Sequence, residues 1–230
     1  MLKVTIWPAH INKSLFELKE DTGEWTLLVT KESCSHFKDA GNVWTQKQID
    51  PITSKQIVSK AKKVVIDPTS DERIILGGVS VRIKLKIDAK ETSTEFRSPI
   101  SKSKEQCFMR DLIGLVKRNM DDLELQNYIE LLEQHFFNSS PIKVIDKKPY
   151  QIKLIGGLTI SDKEELMSKF ETLQSKKNPI LDMTNFYTTG RILNVCFKAI
   201  ENVEGLTVLA NKNAFSYLKE IGFDLTKIKV

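Results

Sequence analysis

Four residues around one glycine carry the clearest chemical potential in this chain: Tyr187, Thr188, Thr189 and Arg191, flanking Gly190 in "FYTTGRIL". A hydroxyl at the start of a helix faces free backbone amides and the positive end of the helix dipole, where an anion is favoured. A phosphate carried by Thr189 would therefore be accommodated there, and Arg191 would tolerate it. Threonine at that spot is also a good N-cap, and the sequence favours capping over switching.

Other chemistry-bearing residues are sparse. The histidines are His10, His36 and His135. Cys34 and His36 form a Cys-x-His pair to which Cys107 or His135 could be added as zinc ligands, but no CxxC or HxxxH spacing accompanies them. The expectation is no metal and no cofactor. As a catalytic dyad, Cys34 and His36 lack a glycine-framed nucleophile turn. Gly77-Gly78 and Gly156-Gly157 are isolated pairs, too few to cradle phosphates. Asp182, placed at the C-terminal end of a short parallel strand "PILDM" (179–183), is the best-positioned carboxylate. No catalytic set emerges, so the expectation is a protein that is not an enzyme.

The elements that must position these residues fall into two grammars. Residues 1–138 read mainly as antiparallel β: "LKVTIW" (2–7), "LFELKE" (15–20), "EWTLLVTK" (24–31), "KKVVID" (62–67), "RIILGGVSVRIKLKID" (73–88) and "TSTEFRS" (92–98). Gly77-Gly78 suits a two-residue hairpin turn. A short helix after Pro51 would take Thr53 or Ser54 as its cap. Two amphipathic segments, 103–119 capped by Ser103 and 121–137 opened by two aspartates, predict a helical hairpin over one sheet face.

Residues 139–149, with two prolines, read as a linker. From 150 to 230 strands and helices alternate: "YQIKLIGGLTI" (150–160), a helix over 161–176 with a Ser161/Glu164 capping box, "PILDM", a helix over 190–203, "LTVLA" (206–210), a helix over 213–222 ending in glycine and an edge strand in "LTKIKV" (225–230). Units of this length favour a mostly parallel sheet with right-handed crossovers. The fold class is thus α+β, an antiparallel sheet with a helical pair followed by an α/β module.

The second module resembles a STAS-type domain, the fold of anti-sigma factor antagonists and sulfate-transporter tails. Leu181-Asp182-Met183-Thr184 matches that family's central strand, Thr188-Thr189-Gly190 its Asp-Ser-Ser/Thr-Gly turn, and "LTVLANKNAFSYLKEIGFD" (206–224) its final strand and helix. The resemblance spans residues 150–230. It implies that Thr189 is a phosphorylation position with Thr188 as the neighbouring hydroxyl, and it makes Asp182 mostly structural. Tyr187 stands where the family has its aspartate, Arg191 replaces an apolar residue, and the turn arrives three residues early. The first module, in "GGVSVRIKLKIDAKETSTEFRSP" and "LELQNYIELLEQHFF", is similar to small uncharacterised bacterial proteins, some thought to serve as immunity proteins beside toxins.

Charge and composition narrow the partners. The net charge of +5 is a mild excess, whereas a dedicated nucleic-acid binder concentrates more. Arg82, Lys84 and Lys86 alternate with apolar residues, which places them on the solvent face of a half-buried strand rather than in a polyanion-binding stripe. No apolar run reaches the roughly 20 residues that cross a bilayer. The opening "MLKVTIWPAHINK" lacks a signal-peptide pattern, and three widely spaced cysteines argue against a disulfide framework. A cytoplasmic protein without membrane insertion is expected. Its oligomeric state is left open.

If 35–46 is a loop, Phe37, Val43 and Trp44 are exposed apolar anchors of the types that dominate interfaces. The alternative, that they fold back onto the sheet, is favoured. With Tyr187 and Arg191 they form the candidate contacts for a protein partner, a toxin or a regulatory protein. The competing expectations are a phosphorylation-controlled antagonist using Thr189, and a carrier or enzyme with a cleft between the halves.

Overall fold

The computed structural model describes residues 1–8, 13–32, 42–69, 78–88, 90–119, 121–137 and 139–230. The chain divides into two compact units, Met1–Asn138 and Ser139–Val230, and the fold class is α+β. No helix among the described residues is long and apolar enough to cross a membrane.

The first unit holds strands β1 (Leu2–Pro8), β2 (Lys13–Asp21), β3 (Glu24–Glu32) and β4 (Asn42–Ile49), helix α1 (Pro51–Ile66), strands β5 (Val79–Ile87) and β6 (Lys90–Arg97), and helices α2 (Lys104–Arg118) and α3 (Leu123–Phe137). The strands pair antiparallel in the order β4-β3-β2-β1-β5-β6. Alternation decides which face is buried. Val4, Ile6, Phe16, Leu27, Ile83 and Leu85 point inward and share one core with Ile57 and Ala61 of α1, Phe108 and Leu112 of α2 and Ile129 and Leu132 of α3.

Outward-facing residues neutralise one another. Arg82 lies opposite Glu95 and pairs with it at 2.9 Å, and Lys84 reaches Glu91 at 3.6 Å. The basic stripe of β5 is therefore answered by carboxylates on β6.

Two sequence expectations need correction here. "KKVVID" is the end of α1, not a strand. Val64 and Val65 have β propensity, but Ile57, Ala61 and Val64 fall at i, i+4 and i+7, and their burial against the sheet overrides it. The cap of α1 is Asp50, whose carboxylate accepts from the Thr53 amide at 2.7 Å, so neither Thr53 nor Ser54 serves. The run 73–76 and Gly77 of the expected hairpin lie outside the described residues. Ser103 does cap α2, accepting from the Gln106 amide at 3.1 Å.

The second unit holds β7 (Ile142–Ile145), β8 (Gln151–Leu158), α4 (Lys163–Gln174), β9 (Ile180–Thr189), α5 (Asn194–Ile200), β10 (Thr207–Ala210), α6 (Lys212–Glu220) and β11 (Ile228–Lys229). The strand order is β11-β10-β9-β8-β7, parallel from β8 to β11 with β7 antiparallel on β8. The segment read as a linker, 139–149, contains β7, and Ile142 is buried in the core of this unit. The proline content misled: Pro141 sits just before the strand, and its carbonyl accepts from the Ile155 amide at 2.8 Å.

The capping box also moves. Asp162 accepts from the Thr159 amide at 2.6 Å, so the three-residue spacing holds two positions upstream of Ser161 and Glu164. Residues 160–162 make a 3-10 turn before α4. The largest departure is in β9, which does not stop at Met183 but runs on to Thr189.

Candidate functional site

The extension of β9 creates the site. Against β8 the register steps from Lys153↔Asp182 to Ile155↔Asn185, and again from Gly156↔Phe186 to Gly157↔Thr188. Each step inserts one extra residue in β9, a bulge that bends the strand. At the first bulge Asp182 Oδ1 accepts from both the Thr184 amide (2.9 Å) and the Thr184 hydroxyl (2.6 Å), while Oδ2 accepts from Gln151 at 2.9 Å. At the second, Tyr187 is the residue without a partner in register, and Gly156 with φ +72° supplies the backbone freedom on the facing strand.

Beyond Met183, β9 runs past the last residue pairing with β10. Asn211 replaces those lost ladder bonds. Its amide donates to the carbonyls of Thr184 (2.9 Å) and Phe186 (2.7 Å), and its Oδ1 caps α6 by accepting from the Ala214 amide at 2.9 Å. One side chain thus fixes the end of β9 against the start of α6. Phe186 turns inward onto Phe197 and Tyr217, with ring centroids 6.3 and 5.8 Å away.

What remains outside is a cleft of about 410 Å³. Tyr187, Thr188, Thr189 and Arg191 line one side, with Asn194 beside them; α6 contributes Asn213, Ser216, Tyr217 and Glu220, spaced along one helical face. Tyr217 donates to Asn194 Oδ1 at 2.9 Å. Burial pushes the Tyr187 phenol up to about 12. Burial also raises the Tyr217 phenol, with Cys196 and Glu220 adding to the effect. Both phenols therefore stay neutral at physiological pH and act as hydrogen-bond donors.

Tyr187, Thr188, Thr189 and Arg191 thus converge on one cleft. Thr189 is not an N-cap: it is the last residue of β9, its hydroxyl meets, among the described residues, only the Gly190 carbonyl at 3.5 Å, and Gly190 precedes a 3-10 turn, Arg191–Leu193. The expected helix over 190–203 is accordingly only the short α5. Asp182 is the third residue of a ten-residue strand rather than its C-terminal end, and its bonds are local and structural.

Val43 and Trp44 belong to the other unit and to a strand, β4, not a loop. Val43 is exposed, but Trp44 folds onto α3. Its ring centroid is 4.9 Å from that of Tyr128, and Nε1 donates to Glu124 at 3.2 Å. Phe37, the Cys34–His36 pair and His10 lie outside the described residues. Among the described residues no group of three or more His, Cys, Asp or Glu side chains could hold a metal ion.

Sequence reading missed Asn194, Tyr217 and the polar face of α6. Their signal was present: 213, 216, 217 and 220 recur at helical spacing opposite buried Ala214 and Leu218. Only the long β9 brings that face beside Tyr187. No family model matches this chain, and no curated protein matches it.

Proposed function

We propose that this chain is a bacterial, non-enzymatic protein-interaction module that acts in the cytoplasm by occluding a partner's surface, with an immunity or regulatory role as its most concrete form. The carrying observation is exposed apolar surface in the nine-residue stretch 187–195, which starts at the cleft edge. Ile192 and Val195 are 55% and 58% exposed, and Tyr187 is 37% exposed beside them in sequence. Arg191, with no ion-pair partner among the described residues, stands beside them, and it and Tyr187 are of residue types enriched at protein interfaces. The likeness to STAS-type domains belongs to the same proposal. It is supported by the position of Leu181–Thr184 on the middle strand of the sheet order and by the strand–helix alternation around it.

The test is affinity capture from the native cell with wild-type chain, Val195→Asp and the remote surface variant Lys47→Glu. A partner retained by wild type and by the remote variant but lost by Val195→Asp supports the reading. A partner held equally by all three removes it.

A second reading, a phosphorylation-controlled antagonist, is favoured by one observation: Thr189 does not cap a helix, so the mundane reason for its hydroxyl is gone. Mass spectrometry of the chain from its native cell should find a phosphate on Thr189, and Thr189→Asp should release the partner while staying folded. Retained binding by Thr189→Asp excludes the switch.

A further inference from the structure

The first unit contains an opening of a different character. Among the described residues, the inner sheet face is left partly open at one corner, where β5 ends and β6 begins. There Leu85 pairs with Thr92 and Ile87 with Lys90, on the hairpin face that carries the core residues; Leu85 is buried, while Ile87 and Lys90 are exposed. The last turns of α1 pass above with Lys62, Val65 and Ile66 at i, i+3 and i+4, a stripe alongside the core residues Ala61 and Val64. Helix and hairpin do not close on one another. They leave a cleft of about 460 Å³ whose floor is buried Leu85 and whose walls are Val65, Ile66 and Ile87.

Two features mark this as more than a packing gap. Ile66 and Ile87 are 70% and 41% exposed on opposing walls, so large aliphatic surface is left to water on both sides of one opening. The rim carries Lys62 from the helix and Lys90 from the hairpin, and among the described residues neither has an ion-pair partner. Asp88 shares the rim, so two cations against one carboxylate leave a net positive mouth over an apolar floor. The volume lies within the roughly 300–1,000 Å³ range of small-molecule sites.

We propose that this cleft binds a single-chain anionic amphiphile, a fatty-acid-type carboxylate, with the alkyl chain against Leu85, Val65, Ile66 and Ile87 and the head group between Lys62 and Lys90. Aliphatic walls supply affinity in proportion to the area they remove from water. The lysines select the sign of the head group. A free carboxylate and an anionic membrane surface share this chemistry, and aliphatic walls on both sides of one opening, Val65 and Ile66 against Ile87, favour a single inserted chain and so the free molecule.

The experiment is isothermal titration calorimetry of the full chain with decanoate, below its aggregation concentration, against decanol, decyltrimethylammonium and acetate. Decanoate should bind one per chain. Decanol should bind about tenfold more weakly, and the cationic and short-chain probes should not register. Lys62→Gln with Lys90→Gln should bring decanoate down to the decanol value, and Ile66→Asp should abolish binding. All three positions are exposed, and circular dichroism should show unchanged folding. Equal affinity for decanoate and decanol, unaltered binding by the lysine variant, or no heat with decanoate overturns the proposal. So does co-sedimentation with phosphatidylglycerol vesicles without decanoate binding, which would assign the lysines to a membrane surface. A shift to dimer with concentration that Ile66→Asp reverses would assign the corner to a second copy instead.

Discussion

Asp182 and Thr184 are joined twice: one carboxylate oxygen accepts both the amide and the hydroxyl of the residue two positions on. This local turn holds the first bulge of β9 and sets the direction of everything from Asn185 to Thr189. Asp182→Ala removes those acceptors and that of Gln151 together. It should cost the second unit about 1–3 kcal/mol, read as a lower urea midpoint. Asp182→Asn keeps one oxygen and should cost less. Equal loss in both would assign the effect to charge rather than to the bulge.

In the first unit the hydroxyls of Ser14 and Tyr128 lie 2.7 Å apart, both buried, and bind β2 to α3. Removing either hydroxyl takes this buried bond away from the other. Tyr128→Phe and Ser14→Ala should each destabilise by about 1–2 kcal/mol, while the double variant falls well short of their sum. A double-variant cycle by chemical denaturation reads the difference. Strict additivity would show that the pair does not act as a unit.

Acid should act on this unit in two windows. Burial lowers the His135 imidazole below its ordinary value. The unfolded chain then takes up the proton first, so stability falls as pH drops below about 6.5 toward the folded value. At Glu105, burial pushes the carboxyl up, but the hydroxyl and amide of Thr69, at 2.6 and 2.7 Å, hold it below its ordinary value. Its contribution is present above about 4.3 and lost as pH falls through the lower folded value. Denaturation midpoints against pH should show His135→Gln flattening only the upper window and Glu105→Gln only the lower. An unchanged upper window in His135→Gln would place that titration elsewhere.

How far these features can be read from sequence depends on the range of the forces that set them. Alternation in "LKVTIW" and "VSVRIKLKI" reveals β1 and β5 because a pleated strand has one dry face whatever its neighbours. Ser103 reveals the start of α2 for a similarly local reason. "KKVVID" misleads because its β-branched residues obey local propensity only until a sheet face offers burial at helical spacing. The end of β9 is illegible for the opposite reason. Past Met183 the strand keeps pairing with β8 as far as Thr189, while its other edge is held by Asn211, 22 residues downstream of Thr189 in a cap that also serves α6. The threonine pair therefore looks like a helix start in sequence and is a strand end in space. Tyr187 and Arg191 were visible by type, whereas Tyr217 and Asn194 became site residues only through that unreadable extension.

The cleft edge offers the last discriminating measurement. Burial pushes the Tyr187 phenol up to about 12, so it stays a neutral donor across the physiological range and gives a partner no pH dependence there. Binding through this edge should therefore be flat from about pH 6 to 9, with affinity carried by apolar area and one guanidinium. Val195→Asp should weaken the captured partner by about 1–3 kcal/mol, roughly fivefold to more than a hundredfold. Arg191→Lys, which keeps charge but loses the planar fork, should cost less than Arg191→Glu. Surface plasmon resonance on the purified pair distinguishes the terms, since loss of an apolar contact appears mainly in the dissociation rate. A steep pH dependence centred near 6.5 would point to a histidine, and with it to a contact surface away from Tyr187 and Arg191.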